Sequence, residues 1–296
     1  MNPINWNFPS QSQSRPTVPS LSNAISALLT AKTAAGCRKR YLVGLRQYLT
    51  AFARGREDLP IDAIGVEDLE RWFAERSESL VTRASNVGRL GSLFGYAVRR
   101  GWIVSNPCAR LERVRLEQRA PRILSPEEAA QLMAWIAQNR PRCLAWFALA
   151  LYAGVRPEEG YKLKWSNVNL EAGSLVIDAA TSKVRHRRIV HLRPIAADWL
   201  SRAAAMDALL PVSFSTIKRA RIAACKALRW EWDQDILRHT AASYLLAHHQ
   251  DAGRVARSLG NSAGILLRHY TELVTRSESR RFWGEAGEPP PIAEAA

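Results

Sequence analysis

The feature that most constrains this chain is a run near its middle, Cys143-Leu-Ala-Trp-Phe-Ala-Leu-Ala-Leu-Tyr-Ala-Gly-Val155, which carries no charged residue. Rich in Ala and Leu, it predicts a helix that is apolar on every side, and such a helix must lie at the centre of a domain. At about 13 residues it is too short to cross the ~30 Å hydrocarbon layer of a bilayer. Gly154 stops it, and Pro157 restarts a helix with Glu158 and Glu159 in the first turn. The surrounding sequence supplies what would wrap the central helix. Ser125-Pro-Glu-Glu is a capping box that opens an amphipathic helix ending near Gln138. Ser174-Leu-Val-Ile-Asp and Arg187-Arg-Ile-Val-His-Leu alternate with period two and read as strands of a small antiparallel sheet, joined by a polar turn through Thr181, Ser182 and Lys183. Helical periodicity returns over 217–228, 236–249, 252–259 and 265–274.

The N-terminal part has a different organisation. Residues 1–20 are Asn, Ser, Gln and Pro without periodicity and are expected to form a disordered lead. From 21 to 106 the spacing of Leu21, Ile25, Leu28 and Leu29, then of Tyr41, Leu45, Tyr48, Leu49 and Phe52, is helical. Further helices are expected around 66–75 and 81–99, the latter with Leu90, Leu93, Phe94 and Val98 on one face, which makes a four-helix bundle. Gly101 and the pre-proline Asn106 end the last helix. Residues 107–122, with Arg110, Arg113, Arg115, Arg119 and Arg122, read as a basic interdomain linker. The second domain spans 123–283, and 284–296, with its Pro-Pro-Pro, reads as a disordered tail. The fold class is therefore mainly α, with one small sheet.

Charge then narrows the function. Lys and Arg number 42 against 27 Asp and Glu, a formal net charge of +15, as expected of a protein that neutralises a polyanion. Nucleic acid is the first candidate and an acidic membrane surface the second. Arg38, Lys39 and Arg40, the linker arginines, Arg185 and Arg187 beside the hairpin turn, and Lys218, Arg219 and Arg221 are the candidate contacts. The four cysteines, Cys37, Cys108, Cys143 and Cys225, show no CxxC pairing and read as buried free thiols in a reducing compartment. Without an apolar leader segment, the chain is expected in the cytoplasm. No metal-ligand spacing occurs, so no metal is expected.

Several residues could carry chemistry, and most have two readings. Arg156, at the joint after the central helix, either forms a structural ion pair with Glu159 or is oriented by it to grip a phosphate with its fork. Lys183, at the hairpin tip, is either a solvated charge or a proton donor to a leaving alkoxide. Arg238 and His239 begin a helix whose free N–H groups favour an anion. Tyr270 either packs against Leu266 and Leu267 or, beside Arg268 and His269, acts as a nucleophile whose phenolate is favoured by nearby positive charge.

The order of these pieces is more specific than any one of them. Ala153-Gly-Val-Arg-Pro-Glu-Glu followed by Leu163-Lys-Trp-Ser, then Leu237-Arg-His-Thr-Ala-Ala-Ser, then Leu259-Gly-Asn-Ser with His269-Tyr270 downstream, resembles the tyrosine recombinase (phage integrase) family over residues 21–283. The resemblance implies an N-terminal core-binding (SAM-like) bundle and a mostly helical catalytic domain that clamp duplex DNA. It implies that Arg156 and Arg238 hold the non-bridging oxygens of the scissile phosphate and that Lys183 protonates the 5′ leaving oxygen. Tyr270 would form a 3′-phosphotyrosyl link, with Glu159, His239 and His269 in support. It further implies a dimer on each site and a homotetramer on paired sites, without cofactor. Two positions depart from the pattern. Asp235 stands where the family usually has His, and Asn261 where it has His or Trp; Asp235 can accept the tyrosine proton but repels phosphate, and Asn261 keeps a hydrogen-bond donor. The alternative function is a catalytically degenerate relative that binds DNA without cleaving it. Phe282 and Trp283 either anchor the C-terminal segment in a neighbouring subunit or close their own domain's core.

Overall fold

The structure is a computed structural model that describes residues 17–115, 120–182, 186–270 and 274–285. The chain divides near residue 118 into two compact units.

The first unit is built on four helices, α1 (Leu21–Ala34), α2 (Lys39–Ala53), α3 (Val66–Ala74) and α4 (Leu80–Arg99). Ser20 and Ser79 cap α1 and α4 by accepting from backbone N–H groups three residues on. The periodic residues named from the sequence, Leu21, Leu45, Leu49, Phe52, Leu90, Leu93 and Phe94 among them, are buried in one core. There Phe52 meets Trp72 edge-on with ring centroids 5.5 Å apart, and Trp72 Nε1 donates to Tyr48 Oη at 3.1 Å. The core reaches beyond both expected boundaries. Residues before Leu21 are tied in, because Ile61 N donates to Pro19 O at 3.0 Å and Val18 packs on the core. Past residue 106, Leu111 is buried in it too, and Pro107 is also buried. The basic composition of 107–122 concealed these apolar contacts. The remainder of the expected lead, 1–16, and of the tail, 286–296, lies outside the described residues.

In the second unit α5 (Pro126–Asn139) begins with the expected capping box: Glu128 N donates to Ser125 Oγ, and Ser125 N to Glu128 Oε2. The apolar run forms α6 (Leu144–Tyr152), and every residue of it is buried. One turn, α7 (Pro157–Gly160), leads to an antiparallel sheet of β1 (Val168–Asn169), β2 (Ser174–Ile177) and β3 (Arg188–His191) in that order, with Val176 opposite Ile189. Then follow α8 (Pro194–Ala205), α9 (Phe214–Leu228), α10 (Ile236–His249), α11 (Ala252–Leu259), α12 (Ala263–Tyr270) and α13 (Arg276–Phe282). Helices α5, α8 and α10 enclose α6.

Three elements were not read from the sequence. Strand β1 has two residues and so no period. Helix α8 buries only Ala196, Leu200 and Ala203, two of them small, which gives a faint apolar stripe. Helix α13, Arg-Ser-Glu-Ser-Arg-Arg-Phe, buries only Ser279 and Phe282. Phe282 and Trp283 close their own unit's core: the Phe282 ring stacks on Tyr244 at 3.9 Å, and Ser279 Oγ and Trp283 Nε1 both donate to Tyr244 O. The four cysteines are free, but only Cys143 is buried, while Cys37, Cys108 and Cys225 are partly exposed. Residue burial and thiol burial differ at Cys108, whose surroundings still push its thiol up to about 12.

Leu149 lies fully buried in α6. Leu149→Ala should cost about 2–5 kcal/mol of stability, read as a lower urea midpoint with an unchanged denaturant slope.

Candidate active site

The site grows from the joint after α6. Gly154 turns the chain with φ +60°, and a Cβ there would lie 2.3 Å from Leu259 Cδ2, so both conformation and space require glycine. The turn places Arg156 at the start of α7, where its backbone N donates to Glu159 Oε2 at 3.2 Å. Glu159 is fully buried. Its Oε1 accepts from Arg156 Nη1 at 3.3 Å and Arg188 Nη1 at 3.0 Å, and its Oε2 from Arg188 Nη2 at 2.6 Å. The structural ion pair foreseen for Arg156 is therefore present, and Arg156 nonetheless faces the cleft described below.

The end of α11 supplies the other half of the scaffold. Its last carbonyls have no partner within the helix and carry the negative end of the helix dipole. Arg156 Nη1 donates to Leu259 O at 3.2 Å and its Nη2 to Gly260 O at 2.5 Å, while Arg188 Nε donates to Ser258 O at 3.0 Å. Arg238, in the first turn of α10, donates through Nη2 to Leu259 O at 2.8 Å and through Nη1 to Gly154 O. Asn261 joins the two candidate phosphate ligands: its Oδ1 accepts from Arg156 Nη2 at 2.6 Å and Arg238 Nη2 at 3.1 Å. The sequence suggested a donor at this position; the amide oxygen is committed to the arginines, which leaves the amide N–H₂ as its donor group.

Burial drives the Arg238 guanidinium down to about 9, Arg156 beside it acts in the same direction, and Glu159 opposes both. Arg156 is likewise lowered by burial and partly held up by Glu159. These directions describe a desolvated cluster short of negative charge, which an entering oxyanion would supply.

Tyr270, at the end of α12, completes the group. It is 7% exposed, and its Oη lies 2.6 Å from His239 Nδ1. Burial raises the phenol, Arg238 and Arg156 lower it, and Asp235 raises it. Burial also lowers His239, against the pull of Asp235. Asp235 precedes α10 in a left-handed conformation, φ 59°, and its side chain makes no capping bond. Arg156, Asp235, Arg238, His239, Asn261, His269 and Tyr270 all line one cleft of about 1050 Å³.

The remaining candidates are distributed as follows. Lys183, Arg185 and Arg119 lie outside the described residues. Arg38, Lys39 and Arg40 are exposed at the start of α2, Arg110, Arg113 and Arg115 are exposed after α4, and so are Arg187, Lys218 and Arg219. Arg221 is half-buried, its guanidinium 5.6 Å from the Trp232 ring centroid. Arg188 was missed as a site residue. Strand alternation could have found it, since Arg188 and the buried Val190 share one face of β3. Among the described residues no group of His, Cys, Asp or Glu could hold a metal ion, and no helix is long and apolar enough to cross a membrane.

The mostly helical second unit thus has one cleft lined by two guanidinium groups and a buried phenol. The model of the phage integrase family matches residues 122–276, and the chain belongs to that family. Tyrosine recombinase XerD of Xanthomonas axonopodis pv. citri (strain 306) is 26% identical over 282 residues, covering 83% of this chain and 91% of the relative. Tyrosine recombinase XerD of Yersinia pestis is 29% identical over 238 residues, covering 71% and 78%. Among solved structures, the Tn1549 transposon integrase in complex with circular intermediate DNA superposes with a TM-score of 0.66 at 13% identity, covering 91% of this chain and 100% of that one. A lambda integrase tetramer bound to a Holliday junction gives a TM-score of 0.66 at 17% identity, covering 86% and 80%.

Glu159→Gln leaves Arg156 and Arg188 without their shared carboxylate. It should destabilise the protein by about 3–5 kcal/mol, measured by urea unfolding, as expected for breaking a buried ion pair from one side.

Proposed function

We propose that this protein is a site-specific DNA recombinase that cleaves and rejoins double-stranded DNA in the cytoplasm through Tyr270. The observation that carries the assignment of residues is the convergence of Arg156, Arg238 and Tyr270 on one cleft. Two guanidinium charges fixed at the cleft favour the non-bridging oxygens of a scissile phosphate and are already in place as charge builds up on the phosphorane. Tyr270 Oη attacks phosphorus, a 3′-phosphotyrosyl bond forms and the 5′ oxygen leaves. The resemblance assigns protonation of that oxygen to Lys183. The covalent link conserves the energy of the phosphodiester, so the reverse attack by a 5′-hydroxyl reseals the strand without ATP or metal. Asn261 keeps the two forks in register through Oδ1 and offers its N–H₂ to a phosphate oxygen.

The exposed basic residues, Arg38, Lys39, Arg40, Arg110, Arg113, Arg115, Lys218 and Arg219, serve duplex binding through phosphates, which fixes position and not sequence. A dimer on each site and a homotetramer on paired sites is the assembly we assign; the solved lambda integrase tetramer on a Holliday junction supports it by analogy of fold.

Incubating the protein with labelled duplexes tiled across the DNA flanking its gene, followed by denaturing gels, tests the chemistry. A protease-sensitive adduct is expected in the parent and none in Tyr270→Phe, with native-gel binding within a few-fold of the parent; an adduct that persists in Tyr270→Phe assigns the nucleophile elsewhere. For duplex contacts, Lys218→Ala and Arg219→Ala should each make the slope of log K against log salt shallower by about 0.9. Filter-binding titrations over a salt series measure it.

A further inference from the structure

We propose that His239 is a catalytic residue of this recombinase: the base that takes the Tyr270 proton on cleavage and returns it on rejoining. The proposal rests on the assignment of Tyr270 as nucleophile. It explains how a chain with Asp235 at the position where the family usually has His can still activate its phenol.

The geometry is direct. Tyr270 Oη and His239 Nδ1 are 2.6 Å apart, within hydrogen-bond reach of the atom that must lose a proton. His239 follows Arg238 on α10, so one helical turn fixes both a phosphate ligand and the base relative to the phenol. Accepting at Nδ1 uses the tautomer with its proton on Nε2. Burial keeps the imidazole neutral, so it has a lone pair to offer at neutral pH. Asp235, just before α10, lines the same cleft, and its charge favours the imidazolium once it has formed.

The step balances. As Oη bonds to phosphorus its proton passes to His239 Nδ1. The P–O5′ bond breaks, its electron pair leaves with the 5′ oxygen, and that oxygen is protonated by the donor assigned to Lys183. On rejoining, the 5′-hydroxyl gives its proton back to that donor as it attacks phosphorus. The P–Oη bond then breaks and the imidazolium reprotonates Tyr270.

The test is single-turnover adduct formation on a nicked duplex, from which the cleaved end diffuses away, followed from about pH 5 to pH 9. Asp233 and Asp235 before α10, Arg238 on it, Arg257 on α11, and His269 and Tyr270 on α12 all face this histidine or its cleft. The limb is therefore assigned by removing His239, not by its midpoint. In the parent the rate should rise with pH to a plateau, because the imidazole must be neutral. His239→Asn, whose amide can keep the hydrogen bond to Tyr270, should lower the plateau by about 10²–10⁴-fold and abolish the limb, with duplex binding retained. Added imidazole should restore part of the rate to His239→Ala and none to Tyr270→Phe. A packing role for His239 would produce no such rescue. A His239→Asn protein that cleaves at the parent's rate with the same limb overturns the proposal and passes the proton to Asp235 or solvent. A parent that forms no adduct overturns instead the assignment of Tyr270.

Discussion

The structure of the second unit hinges on how it holds arginine away from water. A guanidinium cannot simply be buried; its charge needs acceptors in place of those lost. Here the acceptors are the unpaired carbonyls at the end of α11, the carboxylate of Glu159 and the amide oxygen of Asn261. Because these come from separate stretches of chain, the guanidinium cluster also staples α7, β3, α10 and α11 to one another. Any arrangement that separated them would leave charges in an apolar interior.

This same scaffold sets the electrostatics of the cleft. Of the charges near its floor, Glu159 is spent on Arg156 and Arg188, and Arg238 is held by neutral oxygens. The remaining positive potential is available to a ligand, and it is preorganised because each fork is fixed by bonds that do not involve the ligand. Asp235 moderates that potential at one edge, close to His239 and Tyr270.

Much of this was legible in the sequence. The period of Leu21 through Phe52 gave the bundle, the uncharged run 143–155 gave the central helix, and the Ser125 capping box gave the start of α5, because each is a local pattern. The order of Arg156, Arg238 and Tyr270 pointed to the cleft. What was not legible depended on contacts between distant segments. Arg188 looked like one more charge beside a hairpin until the sheet register turned it inward to Glu159. The oxygen of Asn261, the reach of His239 to Tyr270, and the burial of Pro107 and Leu111 likewise follow from packing that no spacing rule encodes.

The stacking of Phe282 on Tyr244 carries one more consequence. Tyr244 lies on α10, whose first turn bears Arg238 and His239, and its carbonyl accepts from both Ser279 and Trp283. The C-terminal aromatics therefore act as a clasp on the middle of the helix that presents the site. A protein shortened before Phe282 would lose the wall against which that helix is seated, and the loosening would be transmitted along its axis to residues it never touches.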